Sequence, residues 1–240
     1  MRLTEAVPAA AATEDSRLNG PHFVDRATEP PRPGRESRVR LPLGHGLRLE
    51  AVAAGDASRA ELERYVQAAF LAKHGAHVRS FMPTLLAFRD RAGALGGVAG
   101  IRGGDEGRLY LEQYLDRPVE QALSIALAAH GVERVERGQI AEVGNLAGAS
   151  CRAAVRMVAQ IPAYLLSRRY AWIVFTATSA LRDILARFDA PLVELARAEG
   201  PRVAGSRDEW GRYYETDPRV YAGWLRDAER LPGFAHTRAR

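Results

Sequence analysis

Apolar positions change spacing repeatedly along this chain, and each change marks an element. The clearest unit runs from Gln139 to Leu181. It opens with a short strand, Gln139–Leu146, that holds Ile140, Val143 and Leu146 and also carries a carboxylate, Glu142, and an amide, Asn145. Small residues follow, Ala147, Gly148, Ala149 and Ser150, where a helix should begin. Such a turn lets backbone N–H groups approach a ligand, and a helix N-terminus favours negative charge. Ala154, Met157, Val158, Ile161 and Leu165 then recur at helical spacing. Pro162 removes one backbone donor inside that helix and predicts a kink or an early end. The next run, AWIVFT, is nearly all apolar, as in a strand covered on both faces.

Upstream, GLRLEAV (Gly46–Val52) reads as a strand. Ser58 and Glu61 form a capping-box pattern ahead of a helix whose apolar face is Leu62, Tyr65, Val66, Ala69 and Phe70, with Gly75 as its stop. Pro83–Asp90 and Leu95–Arg102 read as antiparallel strands, and Gly103–Gly107 as a polar loop. Arg108–Leu115 is a short strand or an irregular crossing. A helix from Pro118 to about His130 follows, with Asp116 as N-cap and Val119, Ala122, Leu123 and Ala126 as its stripe. Downstream, Ser179 caps a helix bearing Leu181, Ile184, Leu185 and Phe188, and Pro191–Ala198 is a strand. Asp217-Pro218 starts a last helix that turns Trp224 and Leu225 inward. The order is β-α-β-β-loop-α-β-α-β-α-β-α. Early antiparallel strands and a late strand-helix-strand crossover imply one α/β (α+β) domain, a single mixed central sheet with helices on both faces. It is expected to span residues 41–240, after a disordered segment, 1–40, that holds PAAAA and PPRPG.

Composition narrows the picture. Of the 240 residues, 47% are hydrophobic, enough for a sizeable core. The net charge of +5 suits an acidic partner, but Lys73 is the sole lysine and no run of four basic residues occurs, so nucleic acid is not an expected partner. Cys151 stands alone, which excludes an internal disulfide and a multi-cysteine zinc site. It reads as a small helix residue, with a catalytic thiol near the helix start as the alternative. His74 and His77 have no carboxylate at helical spacing and read as solvated, so no metal is expected. No apolar run approaches the roughly 20 residues that span a bilayer, and the N-terminus lacks a signal-peptide core, so the chain reads as cytoplasmic.

Four segments in order, LYLEQYLDRPVE (Leu109–Glu120), EVGNLA (Glu142–Ala147), VFTAT (Val174–Thr178) and WGRYYETDPRV (Trp210–Val220), resemble the thermostable hemolysin family of bacterial proteins. The family name implies a membrane-lysing toxin. The element order looks instead like the acyltransferase fold shared by N-acetyltransferases and acyl-homoserine lactone synthases. In that fold a loop at a helix N-terminus holds the pantetheine or pyrophosphate of an acyl thioester, carried by coenzyme A or an acyl carrier protein. The resemblance puts that loop at Asn145-Leu146-Ala147-Gly148-Ala149-Ser150. The acetyltransferase loop usually begins with Gln or Arg and ends in Gly or Ala, whereas this chain has Asn145 and Ser150. The synthases carry a glutamate where Glu142 stands, and their arginine three residues on is Asn145 here.

The expected activity is acyl transfer from such a thioester to a small amine or amino acid. A cytolysin acting on membranes and a non-catalytic binding protein of the same fold are the alternatives. Glu142 is a general base for the acceptor or an ammonium ligand; otherwise it is a salt-bridge partner of an arginine. Asn145 orients the donor or acceptor, or closes the turn. Glu112 pairs with Glu142 across a cleft, or lies on the surface. Tyr213 or Tyr214 protonates the leaving thiolate, or packs beside Trp210. Leu146, Gly148, Ala149 and Ser150 form the donor-binding turn, with backbone N–H groups facing a thioester oxygen or phosphate.

Overall fold

The computed structural model describes residues 40–42, 48–128, 132, 134–188, 191–203 and 209–228. The expected N-terminal disordered segment therefore lies almost wholly outside the described residues. Eight strands form one sheet in the order β1-β2-β3-β4-β5-β6-β8-β7. They are β1 (Arg40–Pro42), β2 (Arg48–Ala53), β3 (Thr84–Arg89), β4 (Leu95–Gly103), β5 (Ile140–Gly148), β6 (Trp172–Ala177), β7 (Leu192–Arg197) and β8 (Arg219–Trp224). All neighbours are antiparallel except β5 and β6, which are parallel. The crossover between those two is α3 (Cys151–Ser167). Among the described residues the other α-helices are α1 (Arg59–His74), α2 (Val119–Leu127) and α4 (Ser179–Ala186), with a final turn, Leu225–Ala228.

Strand alternation sorts the helices onto two faces. Leu86 and Phe88 of β3 join Ala141 and Val143 of β5 under Met157, Ile161 and Leu165 of α3. Leu85 and Ala87 point the other way, to Leu62 and Val66 of α1. Ile140, Val174 and Ala222 likewise face Val119, Leu123 and Leu127 of α2. The mixed sheet covered on both faces is thus the expected fold class.

Several local expectations meet different physics. Gly75 ends α1 in the left-handed conformation, φ 66°, as the sequence predicts. Ser58 precedes α1 but does not cap it; its hydroxyl donates to Asp56 at 2.8 Å, and Glu61 pairs with Arg89. Asp116 is not the N-cap of α2. That position is Pro118, and Asp116 pairs with Arg202 at 2.8 Å. Thr178, not Ser179, caps α4, accepting from the Leu181 N–H. Helix α3 does not end at Pro162 but continues to Ser167, held by burial of Ile161, Tyr164 and Leu165.

The largest departure is at Asp217-Pro218. Asp217 has φ 46° and closes a 3-10 turn, Tyr213–Thr216, and the chain then enters β8 rather than a helix. The run RVYAGW alternates aromatic and branched residues with small ones, a period of two that the Asp-Pro signal overrode in the reading of the sequence. Strand β8 inserts between β6 and β7, with Val220 and Ala222 buried. Leu225 is buried as expected, while Trp224 is only half-buried.

Candidate functional site

The parallel pair β5–β6 is a fork. Its strands are paired from Ile140↔Trp172 to Val143↔Phe175 and no further, although β5 continues to Gly148. Beyond Val143 the two strands diverge, and a cavity of about 1200 Å³ opens there. On the other side β5 stays bound to β4, but with one extra residue: Val98 pairs Ala147 while Gly100 pairs Gly144. Asn145 sits in this bulge at φ 45°, a conformation that asparagine tolerates better than most side chains. Its Oδ1 accepts the Met82 N–H at 2.9 Å, and its Nδ2 donates to the Ser80 carbonyl at 3.4 Å. Asn145 thus ties the segment before β3 to the fork. Gly100 makes room, since a Cβ there would lie 2.7 Å from Asn145 Oδ1.

The cavity touches both faces of the sheet. On the α3 side it is mostly apolar: Val158, Ile161, Ile173, Phe175, Leu181 and Leu185 line it, with Asp183 and Arg187 at its α4 edge. On the α1–α2 side it meets Glu142, Arg102 and a wall of rings. In that wall Tyr110 packs on Trp210 with centroids 5.9 Å apart, Trp210 on Tyr213 at 5.2 Å, and His74 on Tyr213 at 5.3 Å. His74 is buried rather than solvated, and desolvation pushes its imidazole below the usual histidine range.

Glu142 is 3% exposed at the root of the fork. Its oxygens accept the backbone N–H groups of Tyr110 (2.7 Å) and Leu111 (2.9 Å). Burial raises its carboxyl to about 7, against the opposing pull of those two N–H groups and of Arg102; the nearby Glu112 charge pushes the same way as burial. The alternative of a salt bridge is not what the geometry shows: the partners of Glu142 are backbone donors.

Glu112 is not on the surface. It is 7% exposed, accepts from Leu109 and Val119 N–H at 2.8 and 3.0 Å, and takes a two-point bond from Arg137 at 2.7 and 2.9 Å. Burial would raise its carboxyl, but Arg137 and the two N–H groups hold it below the usual range. It does not line the cavity. Nor does Tyr214, whose hydroxyl lies 3.0 Å from that of Tyr114. Tyr213 does line it, buried and with its phenol pushed well up by desolvation.

Asn145, Leu146, Gly148, Ala149 and Ser150 all line the cavity, so the structure gathers the predicted donor turn beside Glu142. Two of its groups are engaged within the protein. The Ala149 N–H donates to the Gly96 carbonyl at 3.0 Å, and Ser150 Oγ caps α3 by accepting the Ala153 N–H at 3.2 Å. Cys151, the first residue of α3, also lines the cavity, so the helix N-terminus borders it. Cys151 is exposed at that start. Among the described residues, no group of three or more His, Cys, Asp or Glu side chains is arranged to hold a metal ion.

Sequence reasoning missed Arg102, Tyr110 and His74 as wall residues. The strand pairing that sets Arg102 opposite Glu142, and the 3-10 turn Tyr110–Tyr114 that aims Tyr110, are long-range features without a local pattern.

Comparison with solved structures finds the same fold in the acyl-homoserine lactone synthase LasI, at TM-score 0.53 and 13% identity, covering 82% of this chain and 100% of that one. FeeM, an N-acyl amino acid synthase from uncultured soil microbes, matches at TM-score 0.50 and 14% identity, covering 76% and 95%. A GCN5-related N-acetyltransferase from Kribbella flavida is more distant, at TM-score 0.42 and 11% identity over 73% of this chain and 97% of that one. No curated protein sequence matches the chain. The sequence profile of the thermostable hemolysin family matches residues 52–229, most of the chain and nearly all of its sheet. The chain belongs to the thermostable hemolysin family.

Proposed function

We propose that this protein is an acyltransferase that moves an acyl group from a thioester, on coenzyme A or an acyl carrier protein, to a small amine or amino acid. The observation that carries the reading is a buried carboxylate, Glu142, at the root of a fork that opens onto a large cavity. An ammonium must lose a proton before its nitrogen can attack. A carboxyl raised to about 7 is poised to take that proton near neutral pH. The amine then attacks the thioester carbonyl; the C–N bond forms, the C–S bond breaks, and the thiolate leaves to be protonated. Neutral Tyr110 or Tyr213 phenols on the same wall are hydrogen-bond donors for that sulfur. The apolar half between α3, β6 and α4 suits an acyl chain, and the turn from Asn145 to Ser150 suits the donor's polar arm. The fold shared with LasI and FeeM supports the reading.

The family's description favours a second reading, a cytolysin. Among the described residues, no helix is long and apolar enough to cross a membrane. The deciding experiment incubates purified protein with mixed acyl thioesters and amines, following thiol release and product masses. Transfer products support the enzyme. Red-cell lysis by the purified protein, with no thiol released, supports the cytolysin. Thioester binding without turnover supports a binding protein of this fold.

A further inference from the structure

Arg102 belongs to no role assigned above. It lies on β4 directly opposite Glu142 of β5. Directly paired residues point to one face with Cβ atoms about 4.5–5.5 Å apart, so the two charged side chains project together into the cavity. Yet they are not an ion pair: the Glu142 oxygens are taken by the Tyr110 and Leu111 N–H groups. One guanidinium nitrogen of Arg102 donates to the Arg108 carbonyl at 2.9 Å, while its Nε is buried without a hydrogen-bond partner. A buried donor left unpaired is costly, and such groups mark places where something other than the fold sets the residue. Among the described residues that line the cavity, Lys73 on α1 and Arg187 after α4 are the other long cations, and neither stands on the fork strands.

We infer that Glu142 and Arg102 together read the two charged groups of an α-amino acid: the amine goes to Glu142 and the carboxylate to the Arg102 guanidinium. This rests on the acyl-transfer reading and narrows it, from amines at large to amino acids. The juxtaposition fits because an α-amino acid carries its ammonium and its carboxylate on one carbon, and this cross-strand pair presents opposite charges side by side. A planar guanidinium also matches a carboxylate in shape, which an ammonium does not. Asn145 brings no charge to a carboxylate, and its amide already holds Met82 and Ser80.

The test uses matched ligands that differ by the carboxylate alone: leucine against 3-methylbutylamine, and phenylalanine against phenethylamine. Their binding to the full chain is measured by titration calorimetry, and acyl transfer to each is followed in parallel. At least one amino acid should bind about 10-fold or more tighter than its amine, as charge-assisted bonds to a carboxylate imply. Arg102→Met should erase that preference while changing amine binding less than about 3-fold, and Arg102→Lys should restore only part of it. The wild-type ratio tests the inference even where a variant fails to fold. Equal binding of both partners of each pair, binding of neither, or a preference that survives Arg102→Met overturns it. Preference without any acyl transfer leaves the carboxylate site standing and removes the acyltransferase reading. Transfer to amines and amino acids alike does the reverse.

Discussion

Glu142 carries two separable consequences. Its folded carboxyl lies near 7, above the ordinary value of 4.5, because burial outweighs two N–H donors. A raised carboxyl means the folded state binds the proton more tightly. The stabilisation is therefore full below about pH 4.5 and is lost as pH rises through about 7, a change of about 3 kcal/mol at about 1.4 kcal/mol per unit. Under the proposed general-base role catalysis runs the opposite way, since the base must be ionised: activity per folded molecule should rise with pH through about 7 and then level. Glu142→Gln should lower turnover by about 10²–10⁴ and remove that acid limb. It should also cost stability, because an amide offers one oxygen to the two N–H groups of Tyr110 and Leu111; a buried donor left unmatched costs about 1–3 kcal/mol. That stability deficit should shrink between pH 5.5 and 8.5, as the wild type loses its own pH-dependent share. Near-normal turnover with the acid limb intact would move the chemistry elsewhere. The sequence pointed to Glu142 because a carboxylate stood alone on an apolar strand. It did not show Arg102, since cross-strand register is unwritten locally. Nor did it show the roles of Asn145, whose amide could equally close a turn or hold a ligand until its partner Met82 was in view.

At the scale of elements, local periodicity was a good guide wherever a helix or strand buries one face. The α1 and α3 stripes, the β3–β4 hairpin and the β5–α3–β6 crossover lie where their patterns put them. Capping signals were weaker, because Ser58 bonds its neighbour Asp56 and Asp116 pairs with the distant Arg202 instead of a helix end. The 3-10 crossing Tyr110–Tyr114 was ambiguous because its backbone is satisfied by carboxylates, the distant Glu142 and its own Glu112, rather than by a ladder. Arg137 locks that crossing in place. Besides Glu112 it binds Glu120 of α2 at 2.7 Å and the Gly104 and Gly107 carbonyls, each at 2.7 Å. Arg137→Ala would strip a buried carboxylate of its cation. Losing one partner of a buried pair costs about 3–5 kcal/mol, and the 29% exposure of Arg137 puts the expected loss near the low end, about 3. A urea midpoint measures it. If Glu112 acts only through this clamp, Glu112→Gln should lower stability while activity per folded molecule stays within a few-fold of normal. A loss of turnover in a stable Glu112→Gln protein would instead make Glu112 part of the chemistry.

For the whole molecule, the sheet order matters because β6, which leaves β5 beyond Val143, stays in the sheet through its other neighbour. Strand β8 is that neighbour, pairing β6 along its full length from Trp172↔Trp224 to Ala177↔Arg219. The cavity at the fork and the family's haemolytic name then meet in one prediction. Under the proposed acyl transfer, joining a long acyl chain to an amino acid through its nitrogen removes the positive charge and leaves the carboxylate. The product is an anionic amphiphile, and amphiphiles of that kind insert into bilayers because each buried CH₂ contributes about 0.8 kcal/mol. On that reading, lysis by cells making this protein is expected from the product and requires no membrane-spanning element of the chain. Such a product has no fold to lose, so its lytic activity should survive heating that unfolds the enzyme. The measurement fractionates lysate from producing cells by solvent extraction and by size. Lytic activity should enter the organic, low-mass fraction, resist boiling, and vanish from cells carrying Glu142→Gln. Lysis that stays with the purified protein and persists in that variant would show that the chain itself attacks the membrane.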